Sequence, residues 1–156
     1  MSESVMKIEQ ATELMFSVVK RITHETIDKI YPQYYPAGAV ELFKQYHSDD
    51  SISSDIKNGN VFLLYDDTEP IATITINGNH ILRLFVLSEY QHKGYGNALL
   101  DFAEKKIAES YTEVELDASF PAKHIYLKRG YSEKEYHKLQ AENGDYLCYD
   151  VMVKNL

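Results

Sequence analysis

The sequence contains no tryptophan, a single cysteine and four prolines, and no apolar run approaches the roughly 18 residues that mark a membrane-spanning helix. Each scarcity excludes something. With only Cys148, no intramolecular disulfide can form, and a reducing compartment is the natural setting. The N-terminal stretch Met1 to Gln10 carries Glu3 and Glu9 and lacks the basic-then-apolar pattern of a signal peptide. A cytoplasmic protein with no membrane partner is expected. Basic charge is also scarce: 16 Lys and Arg face 24 Asp and Glu, a formal net charge of -8. Such a surface repels phosphate backbones, which excludes nucleic acid as the main partner and favours cations. No repeat or low-complexity linker interrupts the chain. Its 156 residues, 44% hydrophobic and 26% charged, give ordinary globular composition and room for one domain over residues 1-156. A domain this long needs neither metal nor disulfide to hold together.

What is present is a change of period. After a short strand at Met6 to Gln10, Leu14, Met15, Val18, Val19, Ile22, Thr26, Ile27 and Ile30 follow the three-and-four spacing of an amphipathic helix, stopped by Pro32. Pro36 opens a second helix through Val40, Phe43 and Tyr46, and a short third turn around Ile52 to Lys57 ends at Asn58-Gly59. From Val61 the period is two. Val61 to Tyr65, Pro70 to Ile76 and His80 to Leu87 read as an antiparallel meander turning at Asp66-Asp67 and Asn77-Gly78. A long helix carrying Leu99, Phe102, Ala103 and Ile107 follows, then a strand at Val114 to Asp117, a helix at Ala122 to Lys128, and strands at Tyr131 to His137 and Tyr146 to Val153. The class is α+β.

Between the third of these strands and the long helix lies Ser88-Glu89-Tyr90-Gln91-His92-Lys93-Gly94-Tyr95-Gly96-Asn97. The first turn of a helix presents backbone N-H groups with no internal partners and a partial positive charge, so it suits an anion. Gly94 and Gly96 let a ligand approach that backbone, and no acid occurs from Gln91 to Leu100. The plain alternative is an ordinary glycine-containing loop entering a core helix. A Walker loop is excluded, because Gly96 is followed by Asn97 and Ala98. A dinucleotide fingerprint is excluded by Leu99, which stands where a third glycine or alanine belongs.

Gln91-x-x-Gly94-x-Gly96, flanked by Leu84-Phe85-Val86 and Ala98-Leu99-Leu100, resembles the acyl-CoA-binding motif of the GNAT superfamily of N-acyltransferases. Ser119-Phe120-Pro121-Ala122-Lys123-His124-Ile125-Tyr126-Leu127-Lys128-Arg129-Gly130-Tyr131 is similar to that family's second signature. The resemblance implies a central, mostly antiparallel mixed sheet of about six or seven strands flanked by helices. It implies acetyl-CoA as cosubstrate, held at its pyrophosphate by the backbone of Gln91, His92, Lys93, Gly94, Tyr95 and Gly96. Backbone groups of Leu84, Phe85 and Val86 would pair with the pantetheine amides. Ser119 stands where asparagine is common and takes that residue's coenzyme contact. Tyr126 matches the family's acid for the departing sulfur, and the reference pKa values of a phenol, about 10, and a thiol, about 8.5, suggest that it needs no perturbation. Its alternative is a packing tyrosine with a surface hydroxyl.

The acceptor implied is a primary amine of a small molecule or a peptide. A non-catalytic acyl-CoA-binding regulator is the competing function, and pairing of sheet edges into a homodimer is a further implication. His80 and Arg83 are the only polar side chains of their strand, which holds no carboxylate to serve as base. Alternation places Ile81, Arg83 and Phe85 on one face, where Arg83 either binds an anionic group of the acceptor or pairs with a surface acid. The resemblance puts the turn holding Tyr31, Tyr34 and Tyr35 near the acceptor cleft, where they either hold a cation or cap the core. His24, His47 and His137 show no ligand spacing, so no metal site is expected.

Overall fold

A computed structural model describes residues 5-156; the first four residues of the Met1 to Gln10 reading lie outside them. Helix α1 (Phe16-Ile30) buries Val19, Ile22, Thr23, Thr26 and Ile27, the stripe that its three-and-four spacing demands. Leu14 does not belong to that stripe: it sits in a short 3-10 turn before the helix and is exposed. Pro36 takes the N-cap position of α2 (Ala37-Tyr46). The third helical segment is longer than a turn, because Ser48 caps α3 (Asp49-Lys57) by accepting from the Ser51 amide, with Asp49 and Asp50 in the first turn.

The period-two segments are β2 (Val61-Asp66), β3 (Glu69-Asn77) and β4 (His80-Val86), with β1 (Met6-Gln10) antiparallel to β2. Helix α4 (Tyr95-Ile107) leads into β5 (Glu113-Ala118), and α5 (Lys123-Lys128) into β6 (Ser132-Gln140) and β7 (Tyr146-Asn155). Together the strands form one seven-stranded sheet in the order β1-β2-β3-β4-β5-β7-β6. All pairings are antiparallel except β4 with β5. That one is parallel because α4 carries the chain back across the sheet.

The sheet separates two cores. On one face Leu99, Leu100, Ala103 and Ile107 of α4 pack on Ile74, Ile81, Val114 and Leu116. On the other, α1, α2 and α3 pack on Val61, Leu63, Phe85 and Leu147. Strand β3 is buried on both faces from Ile71 to Ile76. Among the described residues no helix is long and apolar enough to cross a membrane.

Strand β4 departs from simple alternation. Its register against β3 shifts between the pairs Thr73 with Phe85 and Thr75 with Leu82, and Arg83 adopts a left-handed φ of 51°. The extra residue inverts the side-chain parity. Ile81 therefore packs with α4, whereas Phe85 packs with α1 and α2. The expectation that Ile81, Arg83 and Phe85 share one face is thus corrected by the bulge.

Candidate functional site

Strands β4 and β5 pair only at His80 with Glu115 and Ile81 with Leu116, and then diverge. A cleft of about 790 Å³ opens in the gap. Beyond the divergence the Leu87 amide bonds to the Ile71 carbonyl of β3, at 3.0 Å. Strand alternation directs the backbone groups of Phe85 to β3 as well, and those of Leu84 and Val86 into the cleft. Of the three backbone contacts expected for coenzyme, the one at Phe85 is therefore corrected: its polar groups serve the sheet. The Val86 carbonyl accepts 2.9 Å from Gln91 Nε2, so the Gln91 side chain braces the loop against the strand.

At one end of the cleft stands the start of α4. Gly94 takes the N-cap position at φ 88°, ψ 2°, a left-handed conformation costly for other residues, and no side chain caps the helix. The first bond of the helix runs from the Ala98 amide to the Gly94 carbonyl. The amides of Tyr95, Gly96 and Asn97 thus have no partner among the described residues. A Cβ placed on Gly94 would meet nothing within 4 Å, and one on Gly96 only Val86 Cγ2 at 3.9 Å. The open space lies over the unpaired amides. Gln91, His92, Gly94, Tyr95 and Gly96 line the cleft. Lys93 does not; its ammonium sits over the Tyr90 ring, 5.5 Å from the centroid. His92 holds a left-handed φ of 63°, so the loop turns sharply on both sides of Lys93.

Helix α5 supplies Tyr126. Gly130, at φ 101°, ends that helix by letting the Tyr131 amide reach back to the Tyr126 carbonyl at 3.0 Å. Just beyond the helix end, Arg129 Nε donates to Glu104 of α4 at 2.6 Å, which ties α5 to the helix of the glycine loop. Tyr126 is buried and lines the cleft, so the alternative of a surface hydroxyl is excluded. The expectation of an unperturbed phenol is corrected too: burial, with the nearby Tyr31 and Tyr131 phenols, raises its pKa well above the ordinary value. Even at reference values the phenol is the weaker acid, and handing a proton to a free thiolate costs about 2 kcal/mol.

Ser119 and Tyr31 both line the cleft. Burial pushes the Tyr31 phenol up to about 12, and the Ser119 hydroxyl opposes the shift. The three tyrosines of the α1-α2 turn do not act together. Tyr31 lines the cleft, whereas Tyr34 is half exposed outside it. Tyr35 is a strut: its hydroxyl accepts from the Phe120 amide at 2.7 Å and donates to the Cys148 carbonyl at 3.4 Å. The expectation that all three line one cleft is corrected: Tyr34 and Tyr35 do not.

Arg83 is corrected as well. Its guanidinium is buried, 2.9 Å from Asp55 Oδ2, and donates to Thr75 at 3.0 Å, Ser51 at 3.2 Å and His47 Nδ1 at 3.2 Å. With every nitrogen engaged and four of its five N-H groups directed at protein partners, it ties α2 and α3 to the bulge of β4 as a structural ion pair. Burial lowers its pKa, and Asp55 opposes the shift. Burial, with Arg83 and His24 nearby, lowers the His47 pKa to about 3.

Asp117, Tyr46 and Tyr149 also line the cleft, and sequence reasoning missed all three. The available signal was alternation on β5, where Val114, Leu116 and Ala118 point into the α4 core and Glu113, Glu115 and Asp117 to the opposite face. Among the described residues no group of three or more His, Cys, Asp or Glu is arranged to hold a metal.

A family model described as an acetyltransferase (GNAT) domain matches residues 11-146. The curated proteins contain no match to this sequence. Among solved structures, a GCN5-related N-acetyltransferase from Rhodopseudomonas palustris is similar at 22% identity and TM-score 0.88, over 100% of this chain and 99% of that one. The PaiA N-acetyltransferase of Thermoplasma acidophilum, solved in complex with coenzyme A, is similar at 20% identity and TM-score 0.75, over 97% and 99%. An N-acetyltransferase from Staphylococcus aureus is similar at 18% identity and TM-score 0.72, over 97% of each chain.

Proposed function

The chain belongs to the GNAT acetyltransferase family, and on that footing we propose that it moves an acetyl group from acetyl-CoA to a primary amine of a small molecule or peptide. The observation that carries this reading is the cleft between β4 and β5, with unpaired helix amides at one end and a buried phenol in its wall. The bound thioester supplies the acyl carbon: a C-N bond to a neutral amine replaces the C-S bond, the sulfur leaves as a thiol, and the amine gives up a proton.

The residues present fit a diphosphate and its pantetheine arm. Tyr95, Gly96 and Asn97 amides meet the diphosphate with aligned dipoles and no acid in the first turn of α4. Leu84 and Val86 present backbone groups along the cleft to the arm's amides. Positioning of the two substrates on these rigid elements contributes most of the acceleration. Tyr126 holds its proton near the departing sulfur and transfers it as the C-S bond breaks, which spares the free thiolate.

Calorimetry with acetyl-CoA, followed by a thiol-release assay over polyamines, amino acids, aminoglycosides and peptides, tests the proposal. Micromolar coenzyme binding and amine-dependent thiol release are the expected results. Coenzyme binding without release for any amine would favour a regulator, and no binding would remove both readings.

A further inference from the structure

The far end of the cleft differs in charge from the α4 end. Asp55, one of its two acids, is matched by Arg83. The other, Asp117, has among the described residues only His80 as a partner, with Nε2 at 3.3 Å. Asp117 is also placed at the divergence: Leu116, the residue before it, makes the last pair with β4.

Strand register determines what surrounds this carboxylate. Asp117 pairs directly with Val151, so Tyr149, two residues along β7, occupies the same face. Tyr149 in turn sits opposite His137 on β6 and stacks on it, with centroids 5.3 Å apart and planes at 18°. His137 is bonded to Glu135 at 2.9 Å. From the end of α2, the half-exposed Tyr46 lines the same cleft. Burial raises the Tyr149 phenol, and the charges of Asp117, Tyr46 and Glu135 add to the rise. A carboxylate with no Lys or Arg partner among the described residues, in one cleft lining with two phenol rings, suits an organic cation.

We infer that Asp117, walled by Tyr46 and Tyr149, receives the ammonium group of the acceptor, and that the chain selects amines presented as alkylammonium cations over neutral or anionic molecules of the same shape. This deepens the acetyl-transfer reading and rests on it for the word acceptor, although the binding itself does not require turnover. A cation held here is carried into the wall of the cleft at the point where β4 and β5 separate, and Asp117 offers its proton a nearby carboxylate.

The test uses the full chain saturated with coenzyme A, a complex in which no transfer occurs. Calorimetric titration compares 1-aminobutane with 1-butanol, molecules of one shape that differ in charge at neutral pH. Wild type should bind the ammonium at least about tenfold more tightly than the alcohol. Asp117→Asn should erase that preference while coenzyme A affinity stays within about twofold, and Tyr149→Leu should weaken the ammonium about threefold or more. Equal affinity of wild type for the two probes, or a preference that survives Asp117→Asn, overturns the inference. The two readings fail separately. If the charge preference is present but no amine releases thiol from acetyl-CoA, acetyl transfer is wrong and the cation site stands. If thiol release proceeds unchanged in Asp117→Asn, with the preference intact, the site is wrong and acetyl transfer stands.

Discussion

Replacing Gly96 by alanine separates the phosphate reading from ordinary helix stability, because the two effects have opposite signs. Gly96 lies in the first turn of α4, its φ is not left-handed, and a Cβ there would make only an ordinary contact, 3.9 Å from Val86 Cγ2. Nothing in the protein is displaced. Alanine in place of glycine in a helix stabilises by about 0.5-1 kcal/mol, which in a domain of this size raises Tm by about 1-4 °C. The added methyl, however, stands in the cleft between α4 and β4, over amides that a diphosphate must approach. Losing one charge-assisted hydrogen bond costs about 1.5-3 kcal/mol, so coenzyme A should bind about 10 to 150-fold more weakly. Gly94→Ala provides the contrast: at φ +88° the side chain is strained, and stability should fall by about 1 kcal/mol. Differential scanning fluorimetry and calorimetry with coenzyme A measure both quantities on the same samples. A Gly96→Ala protein that melts higher and binds coenzyme A as wild type does would refute the assignment of the α4 amides to the diphosphate.

Tyr126→Phe should lower turnover by about 10 to 1,000-fold while leaving coenzyme affinity nearly unchanged; steady-state kinetics alongside calorimetry check this, and equal turnover would remove the phenol from the chemistry. Asp55→Asn leaves the Arg83 guanidinium buried with its charge uncompensated, which should cost about 3-5 kcal/mol in urea unfolding. The double change with Arg83→Met should recover part of that loss. His47 has a pKa lowered from 6.5 to about 3 in the folded state, so between those pH values the unfolded chain binds the proton and the folded chain does not. Stability is then fully present above pH 6.5 and declines as pH falls toward about 3, by at most about 1.4 kcal/mol per unit. In His47→Asn, whose amide oxygen can still accept from Arg83, urea midpoints at pH 7 and pH 5 should lie closer together than in wild type.

The local elements were legible because each is specified by neighbours in the chain. The spacing from Val18 to Ile30 determines α1, Asn77-Gly78 the β3-β4 hairpin, and Gly94 with Gly96 the open start of α4. Tyr126 and Gly130 were legible through the resemblance of Ser119 to Tyr131 to the second family signature, a contiguous stretch whose glycine lets α5 end just past the tyrosine. The acceptor end was not. Arg83 read as a surface or substrate-facing residue because alternation along β4 was assumed unbroken, and only pairing with β3 reveals the bulge that buries it against α2 and α3. Asp117, Tyr46 and Tyr149 come from β5, α2 and β7, far apart along the chain, and no spacing connects them. What the sequence alone determined is the end of the cleft built from one contiguous stretch, the loop and helix start that leave amides unpaired. The opposite end was decided by tertiary structure, because strand register and the separation of β4 from β5 bring distant residues to one face.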